Sequence, residues 1–216
     1  MKSFLVIGMG RFGQHLAKKL QELGGDVMIV DSDAEIVEEL APLYTDAQIG
    51  DCTKEAVLRA IGINNFDACF VAIGENFQSS LEVTSLVKSF GAKLVISKAN
   101  TDIQAKFLLS NGADEIVYPE RDTAEKLAIR HSMKNVFDYV ELTPEFSIYE
   151  IPILEAWEGK SVGAIDVRRK YRINILAIKH GDALKPLPGA DYVFCTGDHI
   201  MALGKAADVS KLSERT

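Results

Sequence analysis

The chain has 216 residues, 47% of them hydrophobic and 25% charged, with a formal net charge of −7. That is an ordinary globular balance for one large or two smaller domains. No apolar run approaches the roughly 20 residues needed to span a bilayer, and the acidic balance argues against a nucleic-acid partner, whose binding rests on neutralising phosphates. The first residues lack the apolar stretch of a signal peptide, so the expected location is the cytoplasm. Cys52, Cys69 and Cys195 are scattered without metal-ligand or disulfide spacing, and are read as reduced thiols packed like small apolar residues.

From the N-terminus, short apolar runs alternate with longer amphipathic stretches. The predicted strands are 3–7, 27–30, 47–49, 68–72, 94–97 and 115–117. Unalternated runs such as Phe4-Leu5-Val6-Ile7 and Cys69-Phe70-Val71-Ala72 suit strands covered on both faces. A first helix carries the stripe Phe12, Leu16, Leu20 and Leu23 and is stopped by Gly24-Gly25. Thr101-Asp102-Ile103-Gln104 and Asp122-Thr123-Ala124-Glu125 read as capping boxes that open helices. This alternation is the signature of an α/β, Rossmann-like doubly wound parallel sheet, with expected strand order 3-2-1-4-5-6.

The rhythm changes near Asp138. The expected organisation is a nucleotide-binding domain over 1–121, a crossover helix over 122–137 with Ala124, Leu127, Ala128, Ile129 and Met133 apolar, and a small α+β domain over 138–216. In that last part, strands are predicted at 148–154, 175–178 and 199–203, one helix at 161–172, a hairpin turn at Gly181-Asp182 and a loop at 185–188.

The chemistry concentrates where the first strand meets the first helix. Gly8-Met9-Gly10-Arg11-Phe12-Gly13 is a G-x-G-x-x-G turn, and Asp31 ends the second strand about 20 residues later, the spacing at which a carboxylate meets an adenosine ribose. Gly8 permits the turn, Gly10 lets a phosphate approach, and Gly13 lets the helix pack on the strand. The helix end contributes amide donors and a positive dipole. Asp31, with Ser32 beside it, disfavours a 2′-phosphate, which favours NAD or an adenine mononucleotide over NADP. Asp51 and Cys52, in Gly50-Asp51-Cys52-Thr53, lie at the adenine edge; Asp51 suits either the adenine amino group or a helix cap. Ala72, Ile73, Gly74 and Asn76 follow the fourth strand at the switch point and border the ligand. Arg11 is placed to clamp terminal phosphate oxygens. His15, His131, His180 and His199 show no acid–base set, so no catalytic residue is assigned and the chain is not expected to be an enzyme. An NAD-dependent oxidoreductase is the rival reading.

Gly8-Met9-Gly10-Arg11-Phe12-Gly13, Ile29-Val30-Asp31, Val71-Ala72-Ile73-Gly74, Asn111-Gly112-Ala113-Asp114, Tyr118-Pro119-Glu120-Arg121 and Ile175-Leu176-Ala177-Ile178-Lys179 together resemble the KtrA-type regulatory subunits of bacterial potassium uptake systems. These belong to the TrkA-N/TrkA-C group, also called regulators of conductance of K⁺. The resemblance spans essentially the whole chain. It implies dimers assembled into an octameric ring at the inner face of the membrane, under a K⁺ channel or transporter subunit. It also implies ATP or ADP as ligand, with Arg11 sensing the terminal phosphate and Glu120 helping to hold Mg²⁺ or Ca²⁺ there. Gly50-Asp51-Cys52-Thr53 departs toward the NAD- or NADH-binding members. Asp166, Arg168 and Asn174 resemble a cyclic di-AMP site between paired C-terminal lobes, whereas Val162-Gly163 departs from it.

Overall fold

The computed structural model describes residues 1–132, 135–143 and 145–213. The chain separates into two compact units, Met1–Glu120 and Arg121–Thr216.

The first unit is a six-stranded parallel sheet in the order β3-β2-β1-β4-β5-β6, formed by β1 (Ser3–Ile7), β2 (Asp26–Asp31), β3 (Asp46–Ile49), β4 (Ala68–Val71), β5 (Val95–Lys98) and β6 (Glu115–Val117). Between them run α1 (Arg11–Glu22), α2 (Ala34–Leu40), α3 (Glu55–Ile61), α4 (Phe77–Ser89) and α5 (Asp102–Ser110). The unalternated apolar strands have the predicted cause. In β1, Leu5 and Ile7 join a core with Leu58 of α3 and Val83 of α4, while Val6 joins a second core with Ala17 of α1 and Val27 of β2. Both faces of the strand are therefore dry, and each such aliphatic side chain contributes roughly 1.5–3 kcal/mol on burial. Because β1 pairs with β2 on one side and β4 on the other, the order reverses there. A crevice opens at the carboxyl ends of those strands.

Two local expectations are corrected in this unit. Leu23 does not complete the buried stripe of α1; it is the helix's C-terminal cap and stands 74% exposed. The helix expected to open at Asp122 begins earlier, as α6 (Pro119–Ser132), because Pro119 supplies a preset φ at a position whose amide needs no partner. The Thr101 box does cap α5: its hydroxyl accepts from the Gln104 amide at 3.2 Å, but Gln104 Oε1 reaches back to the amide of Asn100, at 3.0 Å.

Helix α6 runs across the division between the units and buries none of its residues. Of the apolar set expected in a crossover helix, Leu127 is half-exposed, and Met133 lies outside the described residues. The second unit is an antiparallel sheet in the order β10-β9-β11-β8-β7, comprising β7 (Asp138–Glu141), β8 (Ser147–Pro152), β9 (Asn174–His180), β10 (Ala183–Pro186) and β11 (Asp198–Gly204). Tyr149, Ile151, Ile178 and Ile200 pack from it against Trp157, Phe194 and Leu212.

The β9–β10 hairpin pairs His180 with Ala183 around Gly181-Asp182, as predicted. The predicted loop at 185–188 is instead partly strand β10, whose four residues are all exposed and so carry no burial alternation. The single helix expected over 161–172 is two, α7 (Val162–Ile165) and α8 (Val167–Tyr171), broken at Asp166, which adopts a left-handed φ of 53°. Helix α9 (Ala206–Ser213) closes the unit.

Candidate functional site

A cleft of about 1020 Å³ lies along the carboxyl edge of the parallel sheet, entirely within the first unit. Gly8, Gly10, Arg11, Phe12, Asp31, Ser32, Asp51, Cys52, Ala72, Ile73, Gly74, Asn76 and Glu120 all line it. Thirteen of the fifteen expected site residues are thus brought together.

The other two, Met9 and Gly13, do not line it, which corrects them as ligand-lining residues, while the helix–strand packing expected of Gly13 holds. Met9 is fully buried in the core, and its backbone amide donates to Asp31 Oδ2 at 2.5 Å. Gly13 faces the strand rather than the cleft: a Cβ there would stand 2.0 Å from the carbonyl oxygen of Gly8. Gly8 itself turns at φ 96°, in the left-handed region.

Gly10 behaves in the opposite way. A Cβ on it would meet nothing within 4 Å, so no protein atom demands glycine here, and what the missing side chain leaves open is the cleft. Gly10 caps α1 with no side-chain hydrogen bond, and the first turn of α1 contains no acid. Its first amides therefore lack intrahelical acceptors and face the crevice at the positive end of the helix dipole, an arrangement that suits a phosphate. Arg11 is exposed beside them and makes no ion pair among the described residues.

Asp31 holds the other side of this turn. Its Oδ1 accepts from the Asp33 amide at 2.9 Å while Oδ2 holds Met9, which locks the glycine loop against β2. Carboxylate oxygens carry two lone pairs each, so capacity remains for ribose hydroxyls. Asp51 folds back on its own turn, accepting from the Thr53 amide at 3.0 Å and the Thr53 hydroxyl at 2.7 Å. The Thr53 hydrogen bonds hold its carboxyl below the usual range. The helix-cap alternative is corrected, since the N-cap of α3 is Lys54. Cys52 is buried at the wall of the cleft, where burial pushes its thiol up to about 12, so it packs as a small apolar residue. Cys69 is similar, whereas Cys195 is exposed and does not pack as an apolar residue. Asn76 caps α4, accepting from the Ser79 amide at 3.1 Å.

The distal half of the cleft holds residues that sequence reasoning missed. Lys98, at the end of β5, has a side chain only 13% exposed, and its Nζ donates to Glu120 Oε1 at 2.9 Å. That hydrogen bond holds the Glu120 carboxyl below its ordinary range. Asn100 donates to the carbonyl of Gly74, and Tyr118 also lines the cleft. Their signal was their place just past β5 and β6, where ligand-facing loops leave such a sheet. Among the described residues, no group of three or more His, Cys, Asp or Glu side chains is placed to hold a metal. The Glu120 carboxylate alone would need phosphate oxygens to complete a coordination shell.

Elsewhere, His180 and His199 are held by carboxylates of their own unit, at 2.8 Å from Asp198 and 2.9 Å from Glu150. None of the histidines lines the cleft. Arg168 Nε donates to Asn174 Oδ1 at 2.9 Å, and Asp166 pairs with Arg169 at 3.5 Å.

Known proteins match this arrangement along the whole chain. Residues 4–119 match the TrkA-N domain and residues 146–216 the TrkA-C domain. The chain belongs to the TrkA-N/TrkA-C family. Within that family it is 42% identical to Ktr system potassium uptake protein C of Bacillus subtilis, over 99% of this chain and 97% of the relative. It is 36% identical to protein A of the same system and organism, over 97% and 95%. Among solved structures, the GsuK RCK domain superposes with a TM-score of 0.68 at 15% identity, and the GsuK channel bound to NAD with 0.70 at 16%. This chain covers 99% and 98% of itself in those matches but spans only 47% and 39% of those longer chains. They establish the family fold: a parallel Rossmann-like sheet followed by a small antiparallel one. Among the described residues, no helix is long and apolar enough to cross a membrane.

Proposed function

We propose that this chain is a cytoplasmic, nucleotide-sensing regulatory subunit of a potassium uptake system, with no catalytic turnover of its own. The observation that carries the reading is the uncapped N-terminus of α1, with Gly10 open to the cleft and Arg11 beside it, facing Asp31 across the glycine turn. The amides and dipole hold a phosphate, Asp31 takes the ribose, and the apolar wall of Cys52, Ala72 and Ile73 takes the base. ATP and ADP differ in the phosphate that reaches Arg11. A ligand biases a conformational equilibrium only by binding its states with different affinity, so that phosphate is the input. The Ktr relatives support potassium uptake as the process.

In this reading, residues 1–121 form the nucleotide domain, 122–137 the crossover helix and 138–216 the C-terminal domain. The partner is a membrane-embedded K⁺ channel or transporter subunit, contacted by dimers assembled into an octameric ring. Mg²⁺ or Ca²⁺ joins through Glu120 and phosphate oxygens, with the metal neutralising the facing negative charges. Cyclic di-AMP at Asp166, Arg168 and Asn174 is a second input.

An NAD or NADH ligand is supported by a separate feature. The cleft continues past the phosphate position over β5 and β6 to Asn100 and Tyr118, room for a second nucleoside. Calorimetric titration of the full chain with ATP, ADP, NADH and cyclic di-AMP, with and without Mg²⁺, tests these readings. ATP and ADP should bind with different affinities, and Arg11→Ala should abolish the difference. Equal affinities unaffected by the substitution would sink phosphate sensing, and oxidation of bound NADH by a small carbonyl or quinone would turn the chain into an enzyme.

A further inference from the structure

The second unit has a cavity of its own, about 340 Å³, lined by Lys170, Tyr171 and Arg172 at the end of α8 and by Asp208, Lys211 and Leu212 of α9. Leu212 is buried in the core of this unit and Tyr171 packs against it, while the three cations stand exposed. Two of them belong to the run Arg168-Arg169-Lys170-Tyr171-Arg172, in a chain where acids outnumber bases 31 to 24. Carboxylate partners are therefore not scarce, and elsewhere they are used: Lys88 holds Asp114 at 2.6 Å and Lys93 holds Asp67 at 3.1 Å. Within the run, Arg168 is held by Asn174 and Arg169 by Asp166. Lys170, Arg172 and Lys211 make no ion pair among the described residues, although Asp208 lines the same cavity. Arg172 adds an independent observation. Its backbone is left-handed, at φ 58°, where glycine would end the helix without strain. The fold has no need of an arginine there, and strain of this kind collects at ligand-binding positions.

From these observations we infer that the cavity binds a multiply charged phosphate, either free or carried on a lipid headgroup. Three cations against the one carboxylate of Asp208 leave an excess of two positive charges, which a phosphate dianion neutralises and a single carboxylate does not. Two ammonium groups with three donors each and a guanidinium fork can serve several phosphate oxygens at once. The bound anion also relieves the mutual repulsion of the three like charges. This site shares no residue with the nucleotide cleft, and Asp166, Arg168 and Asn174 do not line it.

The test is calorimetric titration of the full chain with pyrophosphate, on wild type, Lys170→Gln/Lys211→Gln, Lys170→Arg/Lys211→Arg and Arg11→Ala. Trp157 is the chain's single tryptophan and packs on Tyr171 with ring centroids 5.3 Å apart, so its emission checks that each variant keeps this region folded. Wild type should bind with a Kd below about 1 mM. Loss of two charge-assisted hydrogen bonds should weaken binding about tenfold or more in the glutamine variant, and the arginine variant should retain it. No binding by wild type at about 1 mM pyrophosphate would overturn the inference. So would a loss of affinity confined to Arg11→Ala, which puts the anion in the nucleotide cleft and leaves the nucleotide reading intact. Cosedimentation with vesicles of phosphatidic acid in phosphatidylcholine, against phosphatidylcholine alone, separates the two sources of phosphate. Retention lost in Lys170→Gln/Lys211→Gln assigns a lipid headgroup, and any other result assigns a free phosphate.

Discussion

Gly10 and Gly13 stand three residues apart in one motif, yet they are glycine for opposite reasons. A Cβ at Gly13 would stand 2.0 Å from the Gly8 carbonyl oxygen, whereas one at Gly10 meets no atom within 4 Å. Gly13→Ala should therefore force α1 away from β1 and cost about 1–3 kcal/mol, as overpacking does. Gly10→Ala should leave the urea midpoint unchanged and weaken nucleotide binding instead. Denaturation and calorimetry on both variants separate the roles; a destabilised Gly10→Ala that still binds would contradict the phosphate position.

Glu150 makes a second prediction at this scale. Burial alone would raise its carboxyl, but hydrogen bonds from His199 and from Lys179, the latter at 2.9 and 3.0 Å, outweigh that and hold it below its ordinary 4.5. A depressed folded value means stability that is present above 4.5 and is lost as pH falls through the lowered one. Glu150→Gln should flatten the acid limb of the second unit's urea stability below pH 4.5, while costing about 1–3 kcal/mol near neutrality.

The elements show where sequence reasoning was sufficient and where it stopped. Strands β1, β2 and β4 were legible because being buried on both faces leaves an unbroken apolar run, and the strand order followed from the β-α alternation. The glycine turn and Asp31 were legible because backbone geometry dictates their residue types. The break in the 161–172 helix was not: Asp166 and Arg172 are ordinary helix-surface residues, and only the chain path places them at φ 53° and 58°. Strand β10 was hidden because an exposed edge strand has no buried face to imprint a pattern. Lys98 was missed because its partner lies 22 residues away, beyond another helix and strand.

The end of α8 is testable. Arg172 ends α8 in the left-handed region, with φ 58° and ψ 29°, where a side chain is strained and glycine is not. Arg172→Gly should raise the stability of the second unit by up to about 1 kcal/mol, read from its urea midpoint. A lower midpoint would mean that the arginine side chain contributes more than its backbone costs.

At the scale of the whole molecule, the cleft lies within Met1–Glu120, while α6 carries the chain across the division into the second unit. A ligand that binds only the folded first unit stabilises it by RT ln(1 + [L]/Kd), about 2.7 kcal/mol at a hundredfold excess over Kd. If the units are energetically independent, that gain stays in the first unit. Regulation requires more, because a signal read at Arg11 has to alter something beyond the cleft, and energetic coupling between two sites is reciprocal. Hydrogen exchange followed at single amides distinguishes the two cases. Saturating ATP should slow exchange in β1, β4 and the first turns of α1 and α4, and the regulatory reading further requires altered exchange in α6 and in β7 or β8. Protection confined to the first unit, with α6 unchanged between ATP and ADP, would leave the chain a nucleotide binder without an output.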